Sequence, residues 1–206
     1  MTNDAFVFVI DDDESVRRQT ARLIRTAGWR VETFVSAEAF LAYTVPDRPA
    51  CLVLDLQLPG PSGLDLQTRL IQAGRELPIV FITGHGDVPS SVRAMKGGAV
   101  DFLLKPFDGK ELLACVERAL AFSREQRAER AERAVIEARF ATLTPREQEV
   151  LMLVVTGKLN KQIAGDLGNA EKTIKVHRGR VMAKMQASSV AELVRMVQKL
   201  RPAPPP

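Results

Sequence analysis

The chain has 206 residues, 46% of them hydrophobic and 5% aromatic, with a net charge of +4 and two cysteines. That composition supports cores for two modest domains or one large one, built mainly from Leu, Val, Ile and Ala, and excludes a disordered chain or a disulfide scaffold. No apolar run approaches a membrane span, and the opening residues lack the basic start and long apolar stretch of a secretory signal, so a cytoplasmic protein without membrane contact is expected, with Cys51 and Cys115 as buried free thiols.

The charge is unevenly spread. Residues 1–120 carry 13 Lys and Arg against 16 Asp and Glu, whereas residues 121–206 carry 16 against 9. An acidic front and a basic back imply different partners, with nucleic acid a candidate for the back.

Over residues 1–120, strand-like and helix-like patterns alternate. Apolar runs fall at Phe6–Ile10, Arg30–Phe34, Cys51–Leu54, Ile79–Ile82 and Val100–Leu104. Between them, Ser15 can cap a helix over Val16–Ala27 that stops at Gly28, and Ser36 a short helix through Tyr43. Gly63–Ala73 ends at Gly74, Pro89–Lys96 ends at Gly97-Gly98, and Asp108 precedes a helix from Gly109. Five βα units joined by crossovers of this length require parallel strands with helices on both faces, an α/β doubly wound, flavodoxin-like domain with its functional groups at the carboxyl ends of the strands.

Residues 121–140 hold five Arg and four Glu with no Gly or Pro, which predicts a long helical linker with a solvated surface; Ala128, Ala131, Val135 and Ala138 are a weaker alternative, a dimer seam. Residues 141–200 read as four helices. Thr144-Pro145-Arg146-Glu147 is a strong helix start, and that helix ends near Gly157. Asn160–Leu167 ends at Gly168, Glu171–Met185 is longer, and Ser189–Leu200 follows. The Pro-rich residues 201–206 cannot continue a helix and are expected to be disordered.

Topology brings three carboxylates together. Asp11 and Asp12 follow the first strand and Asp55 ends the third, its neighbour in the sheet. Carboxylates this close repel one another, and a hard divalent cation such as Mg²⁺ relieves the repulsion. Thr83 ends the fourth strand and Lys105 the fifth; Lys105 precedes Pro106, the one bond class with a sizeable cis population. An acidic cation pocket, a hydroxyl and an ammonium together can stabilise a phosphoryl group on a carboxylate, with Asp55 as nucleophile. Each element alone is weak: an acid run is usually a solvated helix start, Thr83-Gly84 a turn, Lys105-Pro106 a surface dipeptide and Phe102 a core residue. Their joint spacing in a five-unit array carries the reading. His85, in Gly84-His85-Gly86, is read as a loop residue modulating access.

The order acid pair, strand-end Asp, strand-end Thr, Lys-Pro resembles the receiver domain of two-component systems over residues 4–120. The resemblance implies that Asp55 is the phosphoacceptor and that Asp11, Asp12, Asp55 and the Gln57 backbone carbonyl hold Mg²⁺. It further implies that Thr83 and Phe102 are a switch pair and that Lys105 contacts the phosphoryl group. Asp13 extends the acid run and points away, in a capping role. Pro61 stiffens the loop after the third strand.

In the back half, helix Asn160–Leu167, turn Gly168-Asn169-Ala170 and helix Glu171–Met185 form a helix-turn-helix pattern. Ile163, Ala164 and Leu167 give the first helix an inner face, and Ile174, Val181 and Met185 the second. Lys172, Lys175, Arg178, Arg180 and Lys184, with His177 among them, lie along the second. Charge alone does not separate this from an ordinary amphipathic helix. Leu143-Thr144-Pro145-Arg146-Glu147, Asn160-Lys161-Gln162-Ile163-Ala164 and Lys172-Thr173-Ile174-Lys175-Val176-His177 together resemble the LuxR-type four-helix domain. Joined to the receiver pattern, they resemble the FixJ/NarL group of response regulators. The resemblance implies that Lys175, Val176 and Arg180 approach base edges, with Asn160, Lys161, Thr173 and Arg178 near the DNA backbone and Lys172 a further DNA-binding residue. Ala170 departs from the pattern where a capping Ser is common, unless Asn169 substitutes; Gly179 departs inside the recognition helix.

The expected protein is therefore not an enzyme but a phosphorylation-dependent transcriptional regulator. Its expected partners are a sensor histidine kinase, double-stranded promoter DNA and a second copy of itself on phosphorylation, with RNA polymerase a further candidate. Two other classes stay open. A Mg²⁺-dependent aspartyl phosphatase would need a second acid near Asp55, which neither Gln57 nor the following loop supplies. A protein-interaction module without DNA binding would bind its partner independently of salt.

Overall fold

The computed structural model describes residues 4–75, 77–84 and 88–200. His85 and the tail at 201–206 lie outside the described residues. The chain divides into two compact units, residues 1–127 and 128–206.

The first unit is built on a parallel sheet of β1 (Phe6–Ile10), β2 (Arg30–Phe34), β3 (Ala50–Asp55), β4 (Ile79–Thr83) and β5 (Asp101–Leu104), in the order β2-β1-β3-β4-β5. Between and after the strands run α1 (Glu14–Thr26), α2 (Ala37–Leu41), α3 (Gly63–Gln72), α4 (Val88–Lys96) and α5 (Gly109–Ala141). This is the doubly wound architecture that the alternating pattern predicts.

The central strands β3 and β4 are buried along their whole length, while β2 alternates around exposed Arg30 and Glu32. Alternation of side chains splits the core into two layers. Val7, Val9, Val53, Val80 and Ile82 pack with Ala21 and Ile24 of α1 and with Leu112, Val116 and Leu120 of α5. Phe8, Ile10, Leu52, Leu54 and Phe81 pack with Phe40 of α2, Leu66 and Leu70 of α3 and Ala94 of α4. Few as they are, the aromatics are concentrated in this second layer, where Phe8, Phe34, Phe40 and Tyr43 form a cluster with ring centroids 5.2–6.2 Å apart. Cys51 and Cys115 are buried free thiols, and burial pushes the Cys115 thiol up to about 11.

Helix starts refine the expectations. Asp13, not Ser15, caps α1: its carboxylate accepts the Ser15 and Val16 amides at 2.7 and 3.1 Å. Both residue types cap well, but only Asp13 sits before the first helical turn. The second helix stops at Leu41 rather than Tyr43. Ser62 and Asp65 close a capping box on α3. At its first residue, a Cβ on Gly63 would stand 2.4 Å from the Asp55 carbonyl oxygen. Only glycine lets α3 begin so close to the end of β3.

The solvated-linker expectation for residues 121–140 needs correction at both ends. Ser123 is buried and its hydroxyl accepts the Ala50 amide at 3.1 Å, while Arg127 donates to the Asp47 carboxylate at 2.6 Å. In the second unit, Ile136 is buried and Phe140 packs on the same core. Regular Arg and Glu spacing conceals these contacts, because their partners are far away in sequence.

That second core joins the end of α5 to α6 (Pro145–Val154), α7 (Asn160–Leu167), α8 (Glu171–Met185) and α9 (Val190–Leu200). The last begins one residue later than expected because Ser189 is its cap, accepting the Glu192 amide. Thr144 and Glu147 close the expected capping box on α6. Glu147 is buried and also takes the Lys184 ammonium at 2.6 Å. That hydrogen bond, with the Thr144 amide, holds its carboxyl below the usual range. A lowered carboxyl pKa contributes stability above its unfolded value and loses it as pH falls through the folded one. Glu147→Gln is therefore expected to flatten the loss of second-unit stability as pH falls below about 5, followed by chemical denaturation.

Candidate metal centre and nucleic-acid interface

At the carboxyl edge of the sheet, β1 and β3 pair in register, Ile10 opposite Leu54. The residues that follow bring Asp11, Asp12 and Asp55 together, each offering a carboxylate oxygen within 4.8 Å of the others. Asp11 and Asp55 are buried and Asp12 is exposed. From β5, the Lys105 amide donates to the Thr83 carbonyl at 2.7 Å. The Lys105 ammonium donates to Asp11 and to Asp55, both at 2.6 Å. Lys105-Pro106 is cis.

Burial pushes the Asp11 carboxyl above its usual range against the pull of Lys105. Burial also opposes the Lys105 charge, but hydrogen bonds to Asp11 and Asp55 prevail and its pKa is raised. A single ammonium thus faces two buried carboxylates, with a third nearby. All the donors are hard oxygens and one side is open at Asp12, a donor set that suits Mg²⁺ with retained waters.

The remaining expected positions lie just after β3, at the end of β4 and in β5. The Gln57 amide donates to the Asp55 carboxylate at 3.0 Å. Thr83 is buried. Phe102 is half-buried at the edge of the aromatic layer, two residues before Leu104, the register partner of Thr83. One residue escaped sequence reasoning. Arg17 of α1 donates to the carbonyl oxygens of Asp11 and Asp12 at 2.8 and 3.2 Å. Its partners are main-chain oxygens, so no side-chain pattern marks it.

In the second unit, the expected inner faces are observed. Ile163 and Ala164 of α7 and Ile174, Val181 and Met185 of α8 are buried, and Leu167 packs against them. Lys161, Lys172, Thr173, Lys175, Val176 and Arg180 are exposed, so α8 presents a basic face with one apolar side chain. Asn160 and Arg178 are joined to each other, guanidinium to amide oxygen at 3.1 Å. Lys184 does not belong to that face, because it is committed to Glu147 and to the Thr142 carbonyl.

Between α7 and α8, Gly168 adopts the left-handed conformation at φ 61°. Asn169 does not replace the missing cap: its amide donates back to Leu167, and Ala170 leaves α8 without a side-chain cap. Ala170→Ser is expected to stabilise the second unit by about 1 kcal/mol and to raise its thermal midpoint by a few degrees; an unchanged or lower midpoint would contradict the cap argument. At Gly179, a Cβ would meet nothing within 4 Å, so packing within the chain does not require glycine there.

Comparison with known proteins identifies two domain families in the chain. The response regulator receiver domain model matches residues 7–117, and the model for bacterial regulatory proteins of the luxR family matches residues 141–197. The chain is 53% identical to Nodulation protein W of Bradyrhizobium diazoefficiens over 196 residues, 95% of this chain and 86% of that protein. It is 44% identical to the transcriptional regulatory protein FixJ of Rhizobium meliloti over 193 residues, 94% of this chain and 95% of that protein. The solved structure of the response regulator StyR matches with a TM-score of 0.82 and 49% identity, covering 96% of this chain and all of that one. The chain therefore belongs to the response regulators that couple a receiver domain to a LuxR-type DNA-binding domain.

Proposed function

We propose that Asp55 is the phosphoacceptor of a two-state switch that controls DNA binding by α8, acting in the cytoplasm with a sensor histidine kinase as donor. The observation that carries this reading is the Lys105 ammonium 2.6 Å from both Asp11 and Asp55 at the edge of the sheet.

An Asp55 carboxylate oxygen attacks phosphorus, the bond from phosphorus to the donor nitrogen breaks, and the imidazole leaves with its electron pair. Lys105 then moves its hydrogen bond from the Asp55 carboxylate to the phosphoryl oxygens. Asp11, Asp12, Asp55 and the Gln57 carbonyl would hold Mg²⁺, which supplies charge neutralisation for the transferred group. The Thr83 hydroxyl turns toward the phosphoryl group, and Phe102 follows into the vacated space. Such a change reshapes the face made by α4 and β5, where Val92, Met95 and Leu104 are exposed. An apolar face of this kind favours pairing of two copies. Paired copies would place two α8 helices on two half-sites. Lys175, Val176 and Arg180 then address base edges, with Asn160, Lys161, Lys172, Thr173 and Arg178 near phosphates.

The test is labelling of the full chain with a small acyl phosphate. One hydroxylamine-labile phosphoryl group per chain, dependent on divalent cation, is the expected result. Steady turnover of small phosphoesters would instead favour a Mg²⁺-dependent phosphatase, and no labelling would remove the phosphoacceptor assignment. A basic helix that binds protein with no dependence on salt would favour an interaction module.

A further inference from the structure

The three carboxylates of the cation site are held in different ways. Asp11 is buried, accepts the Asp13 amide at 2.9 Å and pairs with Lys105. Asp55 accepts the Gln57 amide and pairs with the same ammonium. The Asp12 carboxylate is exposed and shows no hydrogen bond among the described residues, so its place depends on its backbone.

That backbone is held from α1. Arg17 Nη1 donates to the Asp11 carbonyl at 2.8 Å and to the Asp12 carbonyl at 3.2 Å. The Arg17 amide donates to the Asp13 carbonyl at 2.9 Å, one turn into the helix that Asp13 caps. One residue thus links the two peptide groups on either side of the Asp12 side chain to the first turn of a rigid helix. We propose that Arg17 is a positioning residue for the divalent cation, fixing the turn that aims the Asp12 carboxylate at the site. This rests on the cation reading of Asp11, Asp12 and Asp55.

The sign of the effect separates positioning from charge. A guanidinium near a bound dication repels it, so charge alone predicts tighter binding when Arg17 is removed. Positioning predicts weaker binding, because residues that orient metal ligands typically contribute about tenfold or more in affinity.

The experiment is Mn²⁺ binding to the full chain, read as free ion by electron paramagnetic resonance, with thermal unfolding in metal-free buffer for each variant. Arg17→Ala is expected to bind about tenfold more weakly, and Arg17→Lys to recover most of the loss. Arg18→Ala removes the same charge from a neighbouring, exposed side chain paired with Glu14, and is expected to bind as tightly as the unaltered protein. If Arg17→Ala does not fold, Arg17→Met keeps the aliphatic stem and carries the same comparison. Equal or tighter binding by the Arg17 variants, or an equal loss in Arg18→Ala, overturns the proposal. A folded unaltered protein that binds no Mn²⁺ removes the cation reading itself, and this inference with it.

Discussion

Replacing Asp55 with Asn is expected to abolish phosphoryl incorporation and, with it, any increase in DNA affinity on adding donor and Mg²⁺. The amide keeps the shape of the carboxylate but cannot act as the nucleophile. The fold should survive, because Lys105 retains Asp11 as partner and one of three mutually repelling carboxylates is gone. Metal-free stability is therefore expected to equal or exceed that of the unaltered protein, which separates loss of chemistry from loss of structure. Labelling and a DNA-binding titration on the same preparation check both halves. Full activation of Asp55→Asn by donor would remove Asp55 from the switch.

The second large effect concerns α8. Lys175 and Arg180 are exposed, whereas the residues that hold the helix on its core are Ile174, Val181 and Met185. Removing both cations should leave folding unchanged and strike only the partner. A good side-chain contact to a base edge contributes about 1–3 kcal/mol of discrimination, so the double variant Lys175→Ala, Arg180→Ala is expected to lose about 100-fold in specific affinity. A cation that meets a phosphate also adds about 0.9 to the slope of log affinity against log salt. A titration of each single variant at several salt concentrations therefore reveals which role each residue has. Loss of affinity with an unchanged slope assigns base contacts, and loss with a shallower slope assigns phosphate contacts. Unaltered affinity would mean that another surface meets DNA.

The sheet was legible because β1, β3 and β4 are short apolar runs buried on both faces, and the acids at the ends of β1 and β3, like the lysine after β5, have only one edge to occupy. Asp11, Asp12, Asp55 and Lys105 thus converge from topology alone. What sequence left open depends on partners distant along the chain. The cap of α1 fell among Asp13 and Ser15, both good capping types, and only geometry separates them. Arg17 binds main-chain oxygens, which every residue offers. Lys184 shares a helix with the exposed cations, yet Glu147, 37 residues away, takes it out of the basic face. Ile136 sits in an Arg- and Glu-rich helix whose pattern suggests water on all sides, and its burial appears only when the second core is assembled.

Control of α8 by the state of Asp55 is open to a single experiment. The most direct measurement is selection from genomic DNA fragments by the full chain, with and without Mg²⁺ and a beryllofluoride mimic of the phosphoryl group. Recovery of paired half-sites is expected, enriched when mimic and Mg²⁺ are both present and unchanged by the mimic in Asp55→Asn. Recovery of no sequence in either state, or of the same sites with the same yield regardless of the mimic, would contradict it.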